Sequence, residues 1–265
     1  MRTEYVNGTT IAYTDVGDGI PLVCLHGGMG LDARSLRVPG ILDLAAHGIR
    51  LIIPDQRGHG ASAAASDAGY THATWATDVF ELAQPLGLTR RALGERSESN
   101  GFALLGHSYG GFIALEYAVR WPGTLTHLVL VGTSAGPVRA PARTFASDAD
   151  LREHLRSIWP RFFSGADKHW DLFDAIRFSA GPYNAAFARE LPAYDLRHAV
   201  RALDMPMLLA VGSDDAYLPH MEWIAKEAKH ATLCVFDGVG HLPFVEAPDR
   251  FVHAVAAFVT GAPPR

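Results

Sequence analysis

Three short segments of this chain carry side chains suited to nucleophilic chemistry. Gly106-His107-Ser108-Tyr109-Gly110 places a serine between two glycines, after the apolar run Phe102–Gly106 and before a helical stretch from Phe112 to Arg120. A serine on a sharp strand-to-helix turn is presented at the start of the helix, where free N–H groups and the helix dipole favour developing negative charge. Small residues two before and two after it leave room for the turn. A serine hydroxyl is a poor nucleophile at neutral pH and needs a base. Gly238-Val239-Gly240-His241 follows the last strand-like run, so His241 sits on a loop able to reach across to Ser108. The base needs a carboxylate on its far ring nitrogen, which fixes the tautomer and stabilises the imidazolium. Gly212-Ser213-Asp214-Asp215 supplies two adjacent aspartates, and spacing alone does not separate them. An oxyanion needs N–H donors: Tyr109, next after the serine, offers one, and Gly28 in the loop His26-Gly27-Gly28-Met29-Gly30 offers a second.

These segments are positioned by an alternation of strands and helices. Residues 2–16 read as a hairpin about Asn7-Gly8. Short apolar runs at Pro21–Leu25, Arg50–Pro54, Phe102–Gly106, Thr126–Val131, Met207–Val211 and Thr232–Phe236 read as strands, those bounded by glycine as buried on both faces. Helical patterns lie over 32–47, 71–88, 112–120, 219–229 and 248–260. Such alternation predicts a parallel sheet covered on both faces. Ligands bind such sheets beyond the C-terminal strand ends, where the segments at His26, Asp55, Gly106, Gly212 and Gly240 should gather. Residues 134–203 break the alternation, with aromatic residues at helical spacing and no strand-like run. They read as a helical insertion. Met29, Trp159, Phe162 and Leu242 are the candidate substrate contacts. Asp167, Asp171, Asp174 and Glu190 either meet a substrate amine or form a solvated face. The charged segment 89–100 reads as a solvated loop or a frayed helix end, and 261–265 as a loose tail.

Composition narrows the partners. The chain has 265 residues, a formal net charge of −5 and no basic run that would suit nucleic acid. No stretch approaches the ~20 apolar residues of a membrane span, and the polar N-terminal residues have no apolar signal core. The expectation is a cytoplasmic monomer or homodimer acting on a small molecule, with no nucleic-acid or membrane partner. Cys24 and Cys234 lie in apolar runs and read as buried thiols rather than a disulfide. His26 and His59 read as structural residues bonding loop backbone, and His107 as packing beside the serine turn. No cluster has metal-ligand spacing and no phosphate loop is present, so no metal or cofactor is expected.

His26-Gly27-Gly28, Asp55-Gln56-Arg57-Gly58-His59-Gly60, Gly106 to Gly111, Gly212-x-x-Asp215-x-x-x-Pro219 and Gly240-His241-Leu242-Pro243 occur here in one order. In that set the chain resembles the α/β-hydrolase superfamily over essentially its full length. The resemblance implies a mostly parallel eight-stranded sheet flanked by helices, with a core of 1–133 and 204–265 and a helical cap of 134–203 inserted after the sixth strand. It implies Ser108, Asp215 and His241 as the triad, since the family's acid lies three after the glycine and four before the proline. The chain looks most like the proline iminopeptidase-like and carboxylesterase-lactonase branch, with Met29 where the peptidases carry proline and His107 where they carry glycine. The implied activity is serine hydrolysis of small, partly apolar esters, lactones or amides. The alternatives are a proline iminopeptidase-like aminopeptidase, a non-hydrolytic lyase on the same scaffold, and a slow-turnover receptor.

Overall fold

The apolar runs at Phe102–Gly106 and Met207–Val211 form strands buried on both faces. The computed structural model of the chain describes residues 1–66, 69–89, 101–138 and 143–261. Its strands are β1 (Arg2–Val6), β2 (Thr9–Val16), β3 (Ile20–Leu25), β4 (Ile49–Pro54), β5 (Phe102–His107), β6 (Leu125–Val131), β7 (Met207–Gly212) and β8 (Ala231–Phe236). They form one eight-stranded sheet in the order β1-β2-β4-β3-β5-β6-β7-β8. β2 pairs antiparallel with β1 and β4, and every other pairing is parallel. Every residue of β5 and β7 is buried, whereas the edge strand β8 is half-exposed and leaves Val235 45% accessible. Asn7 and Gly8 both have positive φ at the β1–β2 turn, as an Asn-Gly hairpin requires.

The helices are α1 (Pro39–Leu42), α2 (His72–Ala83), α3 (Tyr109–Arg120), α4 (Asp148–Ile158), α5 (Trp170–Ala175), α6 (Ala180–Ala185), α7 (Leu191–Ala193), α8 (Arg197–Val200), α9 (Leu218–Glu227), α10 (Pro243–Glu246) and α11 (Pro248–Thr260). Thr71 and Ser147 cap α2 and α4, each accepting from the N–H three residues on. Gly261, in the left-handed region, ends α11. Between β6 and β7 the described residues form helices α4 to α8 and no strand, apart from a lone bridge from Phe178 to Leu31. No helix among the described residues is long and apolar enough to cross a membrane. Both cysteines are free thiols.

Two readings shift. Residues 32–47, expected as one helix, are a 3₁₀ turn (Ala33–Leu36), α1 and a second 3₁₀ turn (Asp43–His47), because the chain must bend round its neighbours: a Cβ on Gly40 would lie 2.0 Å from the Phe244 carbonyl oxygen. Helix α3 begins at Tyr109 rather than Phe112, directly after the serine. The solvated loop read over 89–100, beyond its first residue, and the tail after Gly261 lie outside the described residues.

Arg57 and Asp78 form a buried bidentate ion pair, Nε to Oδ2 at 2.8 Å and Nη2 to Oδ1 at 2.5 Å. Asn7 joins it, donating Nδ2 to Asp78 at 2.7 Å and accepting from Arg57 on its carbonyl at 2.8 Å. The loop after β4, helix α2 and the first hairpin are thereby tied together. Removing one partner strands the other charge. Asp78→Ala should therefore destabilise the fold by about 3–5 kcal/mol, read as a lower urea midpoint; a midpoint within error of the parent would contradict this account.

Candidate active site

The turn after β5 is the most constrained backbone at the C-terminal edge of the sheet. Ser108 has φ 51° and ψ −114°, a region that side chains other than glycine avoid. Neighbouring contacts hold it there. The Ser108 N–H donates to the Val131 carbonyl at 2.8 Å, and its carbonyl accepts from Gly111 N–H at 2.9 Å and Thr133 Oγ1 at 2.8 Å. The flanking glycines are sterically required: a Cβ on Gly106 would lie 2.4 Å from the Gly110 carbonyl oxygen, and one on Gly110 would lie 2.3 Å from that of Leu25. Gly27 lies against the other side of the turn, where a Cβ would come within 2.8 Å of Ser108 Cβ.

His241 stands on the loop between β8 and α10. Its Nδ1 donates to Asp215 Oδ2 at 2.9 Å, and both residues are buried. Asp215 Oδ1 accepts from the Tyr217 N–H at 3.0 Å. Burial pushes the Asp215 carboxyl up, but the attraction of the His241 ring, its hydrogen bond and the Tyr217 N–H outweigh that and hold it below the usual range. Of the adjacent aspartates, Asp215 turns inward. Asp214 is exposed and accepts from Ser164 and Ser213 hydroxyls.

The rest of the setting is structural. His107 Nε2 donates to the His241 carbonyl at 3.0 Å, fixing the histidine loop against the serine turn. His26 and His59 bond backbone as expected. His59 Nε2 accepts from Gly30 N–H at 2.9 Å, and His26 Nε2 accepts from Gln56 N–H at 3.1 Å, so the loop after β4 carries the glycine loop after β3. Neither the Gly28 nor the Tyr109 N–H donates to a protein acceptor among the described residues.

Ser108, His241 and Gly28 border a single cavity of ≈ 400 Å³ walled mainly by apolar and aromatic side chains. Met29, Trp159, Phe162 and Leu242 all line it. The acidic residues between β6 and β7 do not: Asp174 pairs with Arg152 and Arg156, Asp167 lies beside His169, Asp171 is exposed, and Glu190 accepts from the His72 N–H. Sequence reasoning passed over Gly132 and Tyr217. Gly132 has φ 52°, and a Cβ there would lie 2.6 Å from Asp215 Oδ2 and 3.0 Å from His241 Nδ1. The Tyr217 ring stacks on His241 at 5.4 Å. A glycine directly after β6 and an aromatic two residues past the aspartate were the available signals. Tyr183 and Phe187 also line the cavity, Phe187 from a π turn over Ala186–Glu190.

A family model described as the alpha/beta hydrolase family matches residues 22–254. A non-heme chloroperoxidase of Streptomyces lividans is 29% identical, over 96% of this chain and 97% of its own. Proline iminopeptidase PfmaB of Pestalotiopsis fici is 25% identical, over 94% and 96%. Among solved structures, the esterase RhEst1 from a Rhodococcus species superposes with a TM-score of 0.80 at 26% identity, over 98% of each chain.

Two outcomes follow from this geometry. Gly132→Ala must bear both a strained φ and a collision with the Asp215–His241 pair, whereas Gly238→Ala bears the strain alone, because its Cβ would meet nothing within 4 Å at φ 68°. Gly238→Ala should lose about 1–2 kcal/mol and Gly132→Ala clearly more, measured by urea unfolding; equal losses would mean that Gly132 is not wedged against the pair. Burial also lowers the pKa of several histidines, among them His59 and His72 to about 4 and His107 to about 3. The unfolded chain, with ordinary imidazoles near 6.5, takes up protons that the fold refuses. Stability should therefore be complete above pH 6.5 and fall as the pH drops from there towards 4, by up to about 1.4 kcal/mol per pH unit for each group. Urea titrations at stepped pH check this, and a flat profile between pH 7 and 5 would refute it.

Proposed function

The chain belongs to the alpha/beta hydrolase family, and from that premise we propose that it is a serine hydrolase of small, partly apolar esters, lactones or amides. The observation that carries this reading is the Asp215–His241 hydrogen bond of 2.9 Å beside a cavity that Ser108 and His241 share. Ser108 Oγ attacks the substrate carbonyl carbon while His241 Nε2 takes the hydroxyl proton. Asp215, ionised because its pKa is held low, keeps the Nδ1–H tautomer and stabilises the imidazolium. The negative oxygen is received by the N–H groups of Gly28 and Tyr109. The bond to the leaving group then breaks, and His241 returns its proton to that group. Water attacks the acyl-enzyme as His241 removes its proton, and Ser108 is released with the proton restored.

Residues 134–203 serve in this reading as a cap on a core of 1–133 and 204–265, closing the cavity with Trp159 and Phe162. The low polarity of the walls suits an apolar acyl or alkoxy group. An aminopeptidase needs a carboxylate to receive the substrate ammonium, and no carboxylate lines the cavity among the described residues. N-acylated amino-acid arylamides should therefore be cleaved at least as fast as their free-amine counterparts; a strong preference for the free amine would restore the peptidase reading.

Ser108→Ala should lower kcat by on the order of 10³ or more and abolish the single fluorophosphonate adduct seen by intact-protein mass spectrometry. Asp215→Asn should lower kcat by about 10⁴ by misdirecting the imidazole tautomer, while Asp214→Asn stays near the parent rate. Labelling that persists in Ser108→Ala protein would remove the mechanism. Damage by Asp214→Asn in place of Asp215→Asn would reassign the acid.

A further inference from the structure

The cavity has one feature that hydrolysis of an apolar ester does not use. Arg143 lines it and is the one lining residue that carries a fixed charge. Arg152 and Arg197, also between β6 and β7, are paired with Asp174 and Asp195, but Arg143 has no carboxylate partner among the described residues. Its hydrogen bond goes instead to a neutral group: Nη1 donates to His154 Nδ1 at 3.0 Å. His154 also lines the cavity, and burial with the adjacent guanidinium lowers its pKa. Because Nδ1 accepts, the proton of the neutral ring sits on Nε2. A guanidinium has five N–H donors and no acceptor. Arg143 and His154 thus offer donors only, in the cavity that Ser108 also lines, and where the lining rings of Tyr183 and Phe187 stack with centroids 4.3 Å apart. Gly28, whose N–H has no protein acceptor among the described residues, lines the same cavity beside Ser108.

Two donor sites in one mainly apolar cavity match a molecule with oxygen at both ends and hydrocarbon between. We propose that Arg143 and His154 form a carboxylate-binding subsite, and that the substrate is an ester, lactone or amide whose apolar body ends in a carboxylate. The inference rests on the hydrolase reading for its reactive end and on Arg143 for its anionic end. Arginine suits this role, since its planar fork meets a carboxylate with two parallel hydrogen bonds.

The test measures binding apart from turnover. In Ser108→Ala protein, calorimetry compares the mono-4-nitrophenyl ester of adipic acid with 4-nitrophenyl heptanoate, which is of similar length and ends in a methyl group. The carboxylate ester should bind about tenfold or more tightly, the scale of hydrogen bonds to a charged group. That advantage should vanish in Ser108→Ala/Arg143→Gln protein and survive in part in Ser108→Ala/Arg143→Lys protein. Equal affinities for the two esters, a preference that survives Arg143→Gln, or no binding of either ester would each overturn the proposal. Hydrolysis of the heptanoate ester by the unsubstituted protein reports separately on the hydrolase reading. Its absence, with the binding preference intact, would sink the hydrolase and leave the carboxylate subsite standing.

Discussion

The backbone of Ser108 is held where few side chains go, and much of the rest of the site follows from that. A residue at φ 51° sits about 1–3 kcal/mol above a relaxed one. It stays there because β6 supplies the Val131 carbonyl, α3 closes at once on its other side, and Leu25 leaves no space beyond the Gly110 α-carbon. Each of these contacts depends on the parallel register of β3, β5 and β6, which aligns Leu25 with Gly106 and His107 with Val131. The strain is thus held by the most deeply buried part of the sheet, where packing tolerates little movement.

Around that turn the loops hold one another in layers. Asp55 accepts from the N–H groups of Ala33 and Ala61, Gln56 donates to the His26 carbonyl, and His59 receives Gly30. A loop that touches no reacting atom in this way fixes the N–H of Gly28. On the opposite side Gly132 leaves just enough room for the Asp215–His241 pair, and His107 braces the carbonyl of His241. Buried histidines are suited to such positions because burial keeps them neutral, with one ring nitrogen donating and the other accepting.

The sequence made the strands legible because strands buried on both faces are written as unbroken apolar runs. It showed where glycine or histidine must follow them, because the loops at the C-terminal edge are short. What it concealed is set by contacts distant along the chain. Residues 32–47 have helical periodicity, yet α10, itself unforeseen, presses on Gly40 and breaks the helix into turns. The spacing from Gly212 to Pro219 singles out Asp215, but not the contact with the Ser164 hydroxyl, fifty residues away, that holds Asp214 outward. Nothing local marks Arg143 as a cavity residue, since its place there depends on His154, eleven residues on.

The loop carrying His241 is bound to the segment between β6 and β7 as well as to His107 of β5. The His241 N–H donates to the Phe162 carbonyl at 2.7 Å, and the Glu246 carboxylate accepts from both Gly165 and Gly240. A Cβ on Gly240 would lie 2.5 Å from that same Phe162 oxygen. The segment between β6 and β7 is therefore not an interchangeable module. A chimera that takes its helices from a relative inherits a different tether for its histidine unless residues 162–165 and 240–246 travel together. Selection for a new substrate through this segment is constrained at its base and free only towards α4 and the π turn.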